Sequence, residues 1–136
     1  MTFSFSNGSP EGTDIRIPAG QLALRFALEI GSLIAIGHYV GRFFAGVWVY
    51  LAGFGAAAVI AAIWGICAVK GDPSRSGNAP VPVPGAVRLA LELAVFLSGA
   101  AALAATQNWI LCGLFLAAFA IHHAMTTARL AWLLRH

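Results

Sequence analysis

The sequence predicts an all-α integral membrane protein: a four-transmembrane-helix up-down bundle made of two parallel helical hairpin repeats. Three observations predict it. First, 60% of the 136 residues are hydrophobic and only 10% are charged, against about 25% charged in soluble domains. A chain this short has too high a surface-to-volume ratio to hide that much apolar surface from water. Second, four apolar segments each approach the ~20 residues that cross ~30 Å of hydrocarbon as a helix. Third, these segments are apolar on every side and rich in Ala, Leu and Gly. They lack the alternation of a barrel strand, and a helix satisfies its own backbone in hydrocarbon. The composition excludes a soluble enzyme, a disordered chain and a secreted disulfide scaffold.

The elements follow in order. Residues 1–20 are polar and rich in Gly, Ser and Pro, without the basic start and apolar core of a signal peptide, so they read as a flexible cytoplasmic tail. Pro18 stands just before the first helix, where a missing N–H does no harm. Residues 21–136 form one domain with spans at about 21–40, 45–69, 86–106 and 109–134. Gly41, Arg42 and Gly46 bracket a tight turn between the first two spans. The linker 70–85, with Pro80, Pro82 and Pro84 at alternating positions, is expected to be extended and polar. Gln107-Asn108 marks the turn before the fourth span. Phe43, Phe44, Trp48, Tyr50 and Trp109 suit an aromatic belt at the outer face, and Trp132 one at the inner face; His38, beside Tyr39 and Arg42, reads as interfacial.

The net charge is +3, but no run of Lys/Arg exists, so nucleic acid is not an expected partner. The positive-inside rule explains the basic residues better. Arg16, Arg25, Lys70, Arg75, Arg88, Arg129 and Arg135 lie on the side of the tail, linker and C-terminus, against Arg42 alone on the other. That count predicts a multi-pass protein of a bacterial cytoplasmic membrane with both termini cytoplasmic. Cys67 and Cys112 fall near opposite membrane faces, too far apart to bridge within one chain, and read as reduced, packed thiols.

An internal repeat supports two hairpins. Leu24–Ile30 (LRFALEI) aligns with Val87–Leu93 (VRLALEL) at an offset of 63, with Arg, Ala, Leu and Glu identical. Both copies enter from the same side, so the repeats are parallel. They set Glu29 and Glu92 at equivalent depths, about two turns inside their spans. A carboxylate there costs about 2–3 kcal/mol unless paired or neutralised. Arg25 and Arg88, each four residues earlier, are on the same face as their Glu and can reach it. Arg before Glu opposes the helix dipole, so helix propensity did not choose the pattern.

The fourth span adds His122, His123, Thr126 and Arg129. His122, Thr126 and Arg129 follow i, i+4, i+7, one polar stripe on an apolar helix. Trp64 near the end of the second span is at interface depth. Candidate catalytic residues are Glu29, Glu92 and His122; candidate substrate or ion-pair residues are Arg25, Arg88, His123, Thr126, Arg129 and Trp64. The blander reading is that the Arg–Glu pairs set topology and hold helices together, with His122 and His123 as a hydrogen-bonded pair between helices. No metal or cofactor is expected: Arg would repel a divalent ion, and no Glu-x-x-His spacing exists. Gly53, Ala57, Ala61 and Gly65 recur every fourth residue, a small-residue stripe that lets another helix approach, inside the bundle or between subunits.

Leu24-Arg25 with Leu28-Glu29 opening the first span, Trp64-Gly65 closing the second and Arg88–Leu93 opening the third resemble the YrdB-like family, small four-span bacterial membrane proteins classed as a domain of unknown function. The resemblance covers roughly Leu22 to the end. It implies a fold and a location, and no catalytic residues; His122-His123 is not carried over from it.

Three functional classes follow. The first is a non-catalytic membrane component or subunit, meeting a second copy or a partner subunit through the Gly53/Ala57/Ala61/Gly65 stripe. The second is a membrane enzyme on a lipophilic small molecule, with Glu29 and Glu92 as acid and base and His122 relaying a proton. The third is a small oligomeric proton-coupled transporter or channel.

Overall fold

The computed structural model describes residues 15–75 and 78–136. Most of the expected tail, residues 1–14, lies outside the described residues. The described chain is mostly helical: α1 (Ala19–Gly41), α2 (Trp48–Ile66), α3 (Gly85–Ala105), α4 (Trp109–Met125) and α5 (Thr127–Leu133), with two-residue strands β1 (Cys67–Ala68) and β2 (Val81–Pro82). α1, α2 and α3 are each long and apolar enough to cross a membrane, and the pair α4–α5 counts as a fourth span if it is taken as one. Pro18 and Pro84 occupy the positions before α1 and α3, where their fixed φ suits a helix start.

α1 and α3 form the centre, α2 flanks α1, and α4 packs on α3 and more lightly on α1. Arg25 near the start of α1 meets Glu92 near the start of α3, and Arg42 beyond the end of α1 donates to the carbonyl of Ala105 at the end of α3. α1 and α3 therefore run parallel. The linker end gathers the starts of α1 and α3 and the ends of α2 and α4. The far end carries the exposed Phe43, Trp48, Tyr50 and Trp109 expected of an aromatic belt. The tight turn there ends at Gly46 in the left-handed region (φ 60°). The α3–α4 turn places Gln107 at φ 59°, the position that glycine usually fills after a helix. The Asn108 and Gln107 amides donate to the carbonyls of Leu103 and Ala104, which satisfies the last turn of α3.

Two expectations are corrected. The second span is not helical to Val69: it stops at Ile66, and residues 67–68 pair in parallel with 81–82. Proline has no N–H, so in the alternating Pro-Val-Pro-Val-Pro stretch the valines carry the donors; Val83 donates to the Ala68 carbonyl at 2.9 Å. The linker is thus tied down rather than simply extended and polar, with Ala68, Val69 and Asp72 buried. The fourth span is not one helix to Leu134. It breaks at Thr126, and α5 turns 72° away from α4. Thr126 spends its hydroxyl on the His122 carbonyl at 2.8 Å, a back-bond that bends helices, and a second β-branched residue, Thr127, follows.

Candidate functional site

The linker end holds a buried charge cluster built from four segments. Glu92 of α3 is fully buried. It accepts Nη1 and Nη2 of Arg129, both at 3.1 Å, and Nη2 of Arg25 at 3.1 Å. Arg129 of α5 turns its remaining edge to Asp72 of the linker, with Nε at 3.1 Å and Nη2 at 2.9 Å. One guanidinium thus holds two carboxylates through paired bonds, the geometry that suits its planar fork. Arg25 of α1 also donates to Glu29 at 2.8 Å and to the Ser74 hydroxyl. The bend at Thr126 is what aims α5, and so Arg129, back at this cluster.

Asp72 was not among the residues that the sequence singles out. It is 1% exposed. Its Oδ1 accepts the Ser74 amide at 2.9 Å and the Ser74 hydroxyl at 2.8 Å, an Asx-turn that Asp-Pro-Ser favours. Burial alone would raise the Asp72 carboxyl; the hydrogen bond and charge of Arg129, with Ser74, outweigh it and hold the group down at about 2. A depressed carboxylate contributes stability above its unfolded value, and that stability is lost as pH falls through the folded one. We expect the stability difference between wild type and Asp72→Asn to be present above about pH 4 and to close by about pH 2. Its size should be about 2 kcal/mol, read from unfolding midpoints across that range.

Arg88 corrects a third expectation. It does not pair with Glu92 four residues on. It is fully buried, and its Nη1 donates to the carbonyls of Trp64 at 2.5 Å and Cys67 at 2.6 Å, capping the end of α2. Arg75 of the linker donates to the carbonyls of Trp64 at 3.5 Å and Gly65 at 3.2 Å. The guanidiniums of Arg88, Arg75 and Arg25 lie 4.5, 5.5 and 5.8 Å from the centre of the Trp64 ring. Only the Arg25–Glu29 half of the expected i, i+4 pattern forms.

His122, Thr126 and Arg129 are all buried, as one polar stripe requires. His122 and His123 do not form a hydrogen-bonded pair. Their rings meet edge-on at 5.2 Å; His123 Nδ1 bonds the Phe119 carbonyl, and neither ring nitrogen of His122 has a hydrogen-bond partner. Cys67 and Cys112 are both free thiols. Among the described residues, no group of three or more His, Cys, Asp or Glu is placed to hold a metal ion. Two apolar grooves open elsewhere. One, of about 900 Å³, runs between α1 and α2 past Ile30, Ile34, Gly37 and Ala61. The other, of about 500 Å³, runs between α1 and α4 past Gly31, His38, Leu111 and Phe115. Neither is lined by a residue of the charge cluster.

Apolar helices of spanning length, closed at one end by buried ion pairs, define the class: a small all-helical protein whose three helices, or four if α4–α5 counts as one, are compatible with a multi-pass membrane protein. The chain belongs to the family described as "Protein of unknown function (DUF2568)", whose model matches residues 23–133. It is 35% identical to the "Uncharacterized protein YrdB" of Bacillus subtilis (strain 168) over 113 residues, which cover 83% of this chain and 92% of that protein. The family that the Arg25–Glu29, Trp64-Gly65 and Arg88–Leu93 motifs resemble is the family found. No solved structure matches the chain.

Proposed function

We propose that the chain is a non-catalytic component of a bacterial cytoplasmic membrane, a four-span scaffold or subunit with both termini and the charge cluster on the cytoplasmic side. Its two hairpins, related by the 63-residue repeat, enter from that side. The cluster acts as a clasp. The observation that carries this reading is Arg129, whose fork is filled by Glu92 on one edge and Asp72 on the other, so that α3, α5 and the linker are tied at one point. A carboxylate held by two guanidiniums, as Glu92 is, has no free role in moving protons. The partner in this reading is a second copy or another membrane subunit. Gly53, at one end of the small-residue stripe, packs on Gly37 within the chain, while Ala57 and Ala61 line the open groove beside it.

A second reading, an enzyme acting on a lipophilic molecule, is favoured by one observation: the two bare ring nitrogens of buried His122. Glu29, with one partner and a side chain 16% exposed, would be its more available carboxylate. A proton-coupled transporter ranks third.

Unfolding of the full chain in lipid nanodiscs separates the first two. As a clasp, Glu92→Gln leaves two buried guanidiniums undercompensated and should lose about 3–5 kcal/mol, whereas Glu29→Gln, which leaves Arg25 bonded to Glu92, should lose only about 1–2 kcal/mol. As a catalytic group, Glu92 is a strained, stability-costing residue, and Glu92→Gln should be neutral or stabilising. A wild-type midpoint for Glu92→Gln would remove the clasp reading.

A further inference from the structure

The end of α2 carries a second charged feature that the clasp does not use. Arg75 and Arg88 both donate to the Trp64 carbonyl, so the two cations are neighbours. Among the described residues neither has a carboxylate within ion-pair distance; the ion pairs of the cluster belong to Arg25 and Arg129, and Glu92 and Glu29 act on Arg88 and Arg75 only from farther off. Their acceptors are the last carbonyls of α2 and the Cys67 carbonyl. A helix C-terminus supplies the equivalent of about half a negative charge, which balances less than one of the two guanidiniums.

The unused hydrogen-bonding capacity here is all donor. Arg88 is 0% exposed, yet its Nε and Nη2 have no partner. The indole Nε1 of Trp64 is buried and has none either, and the Arg88 guanidinium lies 4.5 Å from that ring's centre. A neutral water could accept from these groups but would leave the repulsion between Arg75 and Arg88 in place. An anion answers both needs. Arginine forks suit tetrahedral oxyanions. Arg75, half-buried in the linker, gives the seat an approach from the polar side, and exposed Lys70 stands near it in the chain.

We propose that Arg75, Arg88 and the Trp64 indole form a seat for a phosphate group, carried by an anionic lipid headgroup or by free phosphate. The seat and the clasp adjoin but bond through different arginines: the seat through Arg75 and Arg88, the clasp through Arg129 and Arg25, whose guanidinium also lies 5.8 Å from the Trp64 ring.

The test uses the full chain in nanodiscs of phosphatidylcholine alone, the same discs with added inorganic phosphate, and discs containing phosphatidylglycerol. A rise in melting temperature with phosphatidylglycerol alone assigns the headgroup. A rise with inorganic phosphate in neutral discs assigns the free ion. The same rise should fall by at least half in Arg75→Gln and persist in Lys70→Gln, which alters surface charge without touching the seat. If Arg75→Gln does not fold, Trp64→Phe keeps an aromatic face and removes the unpartnered N–H, and should also shrink the rise. No rise under either condition would overturn the proposal, and so would a rise that both Arg75→Gln and Trp64→Phe leave intact.

Discussion

Arg129→Met is expected to destabilise the protein by about 3–5 kcal/mol, the cost of breaking a buried ion pair by removing one partner. Methionine keeps most of the volume of the side chain, so packing against α3 changes little and the loss is electrostatic. The variant leaves Asp72 buried with only Ser74 as a partner, and leaves Glu92 with only Arg25. A desolvated carboxylate with no cation is relieved by exposure to water, so the linker should lift away. Trypsin should then cleave faster after Lys70 and Arg75, and the unfolding midpoint should drop in the same preparation. Arg129→Lys should recover only part of the loss, because an ammonium cannot bond two carboxylates in a paired, planar way. Combining Arg129→Met with Asp72→Asn should cost less than the sum of the two, since the second change removes the charge that the first leaves stranded. Wild-type cleavage and melting in Arg129→Met would mean that the linker is held by the 67–68/81–82 ladder and the cluster is incidental.

Hydropathy and periodicity reveal the helices here because hydrocarbon thickness and backbone satisfaction leave little choice of spanning structure. The i, i+4 spacing of Arg25 and Glu29 reads correctly for the same reason that the Arg88–Glu92 spacing does not. Sequence fixes which side chains share a face, but it does not rank the acceptors that tertiary packing brings to that face. The open carbonyls at the end of α2 are such acceptors, and Arg88 goes to them. Asp72 escapes a reading that treats the linker as solvent-exposed spacer. Two local signals were available: Asp-Pro-Ser, which favours a turn closed by the aspartate, and the excess of arginines over glutamates at one end of the bundle, which calls for a third acid. The break at Thr126 was legible in Thr126-Thr127, two β-branched hydroxyl residues in succession, but the apolar run continuing to Leu134 masks it. Its direction, which brings Arg129 to Glu92 and Asp72, depends on contacts between α5 and α3 far apart in sequence.

Gly53→Val should destabilise by at least about 2–3 kcal/mol, with the α1–α2 hairpin opening as the structural change. A Cβ at Gly53 would stand 2.5 Å from the carbonyl oxygen of Gly37, and one at Gly37 would stand 2.8 Å from the carbonyl oxygen of Gly53. Both obstacles are backbone, so no rotamer change relieves them and the helices must separate. Away from its end, which Arg88 and Arg75 cap, α2 has little else to hold it: Gly53 is its single buried residue, and its contacts outside α1 are few. Separation also strips Ile60 from the small core of Ala35, Ile36 and Ala102. Gly55→Ala is the matched control, because a Cβ there meets nothing within 4 Å. Removing a helical glycine should raise stability by about 0.5–1 kcal/mol. Spin labels on α1 and α2 should report a longer separation in Gly53→Val and an unchanged one in Gly55→Ala. If the two variants melt alike, the close approach of Gly37 and Gly53 is not what fastens α2, and the apolar groove between the helices takes over as the determinant of its position.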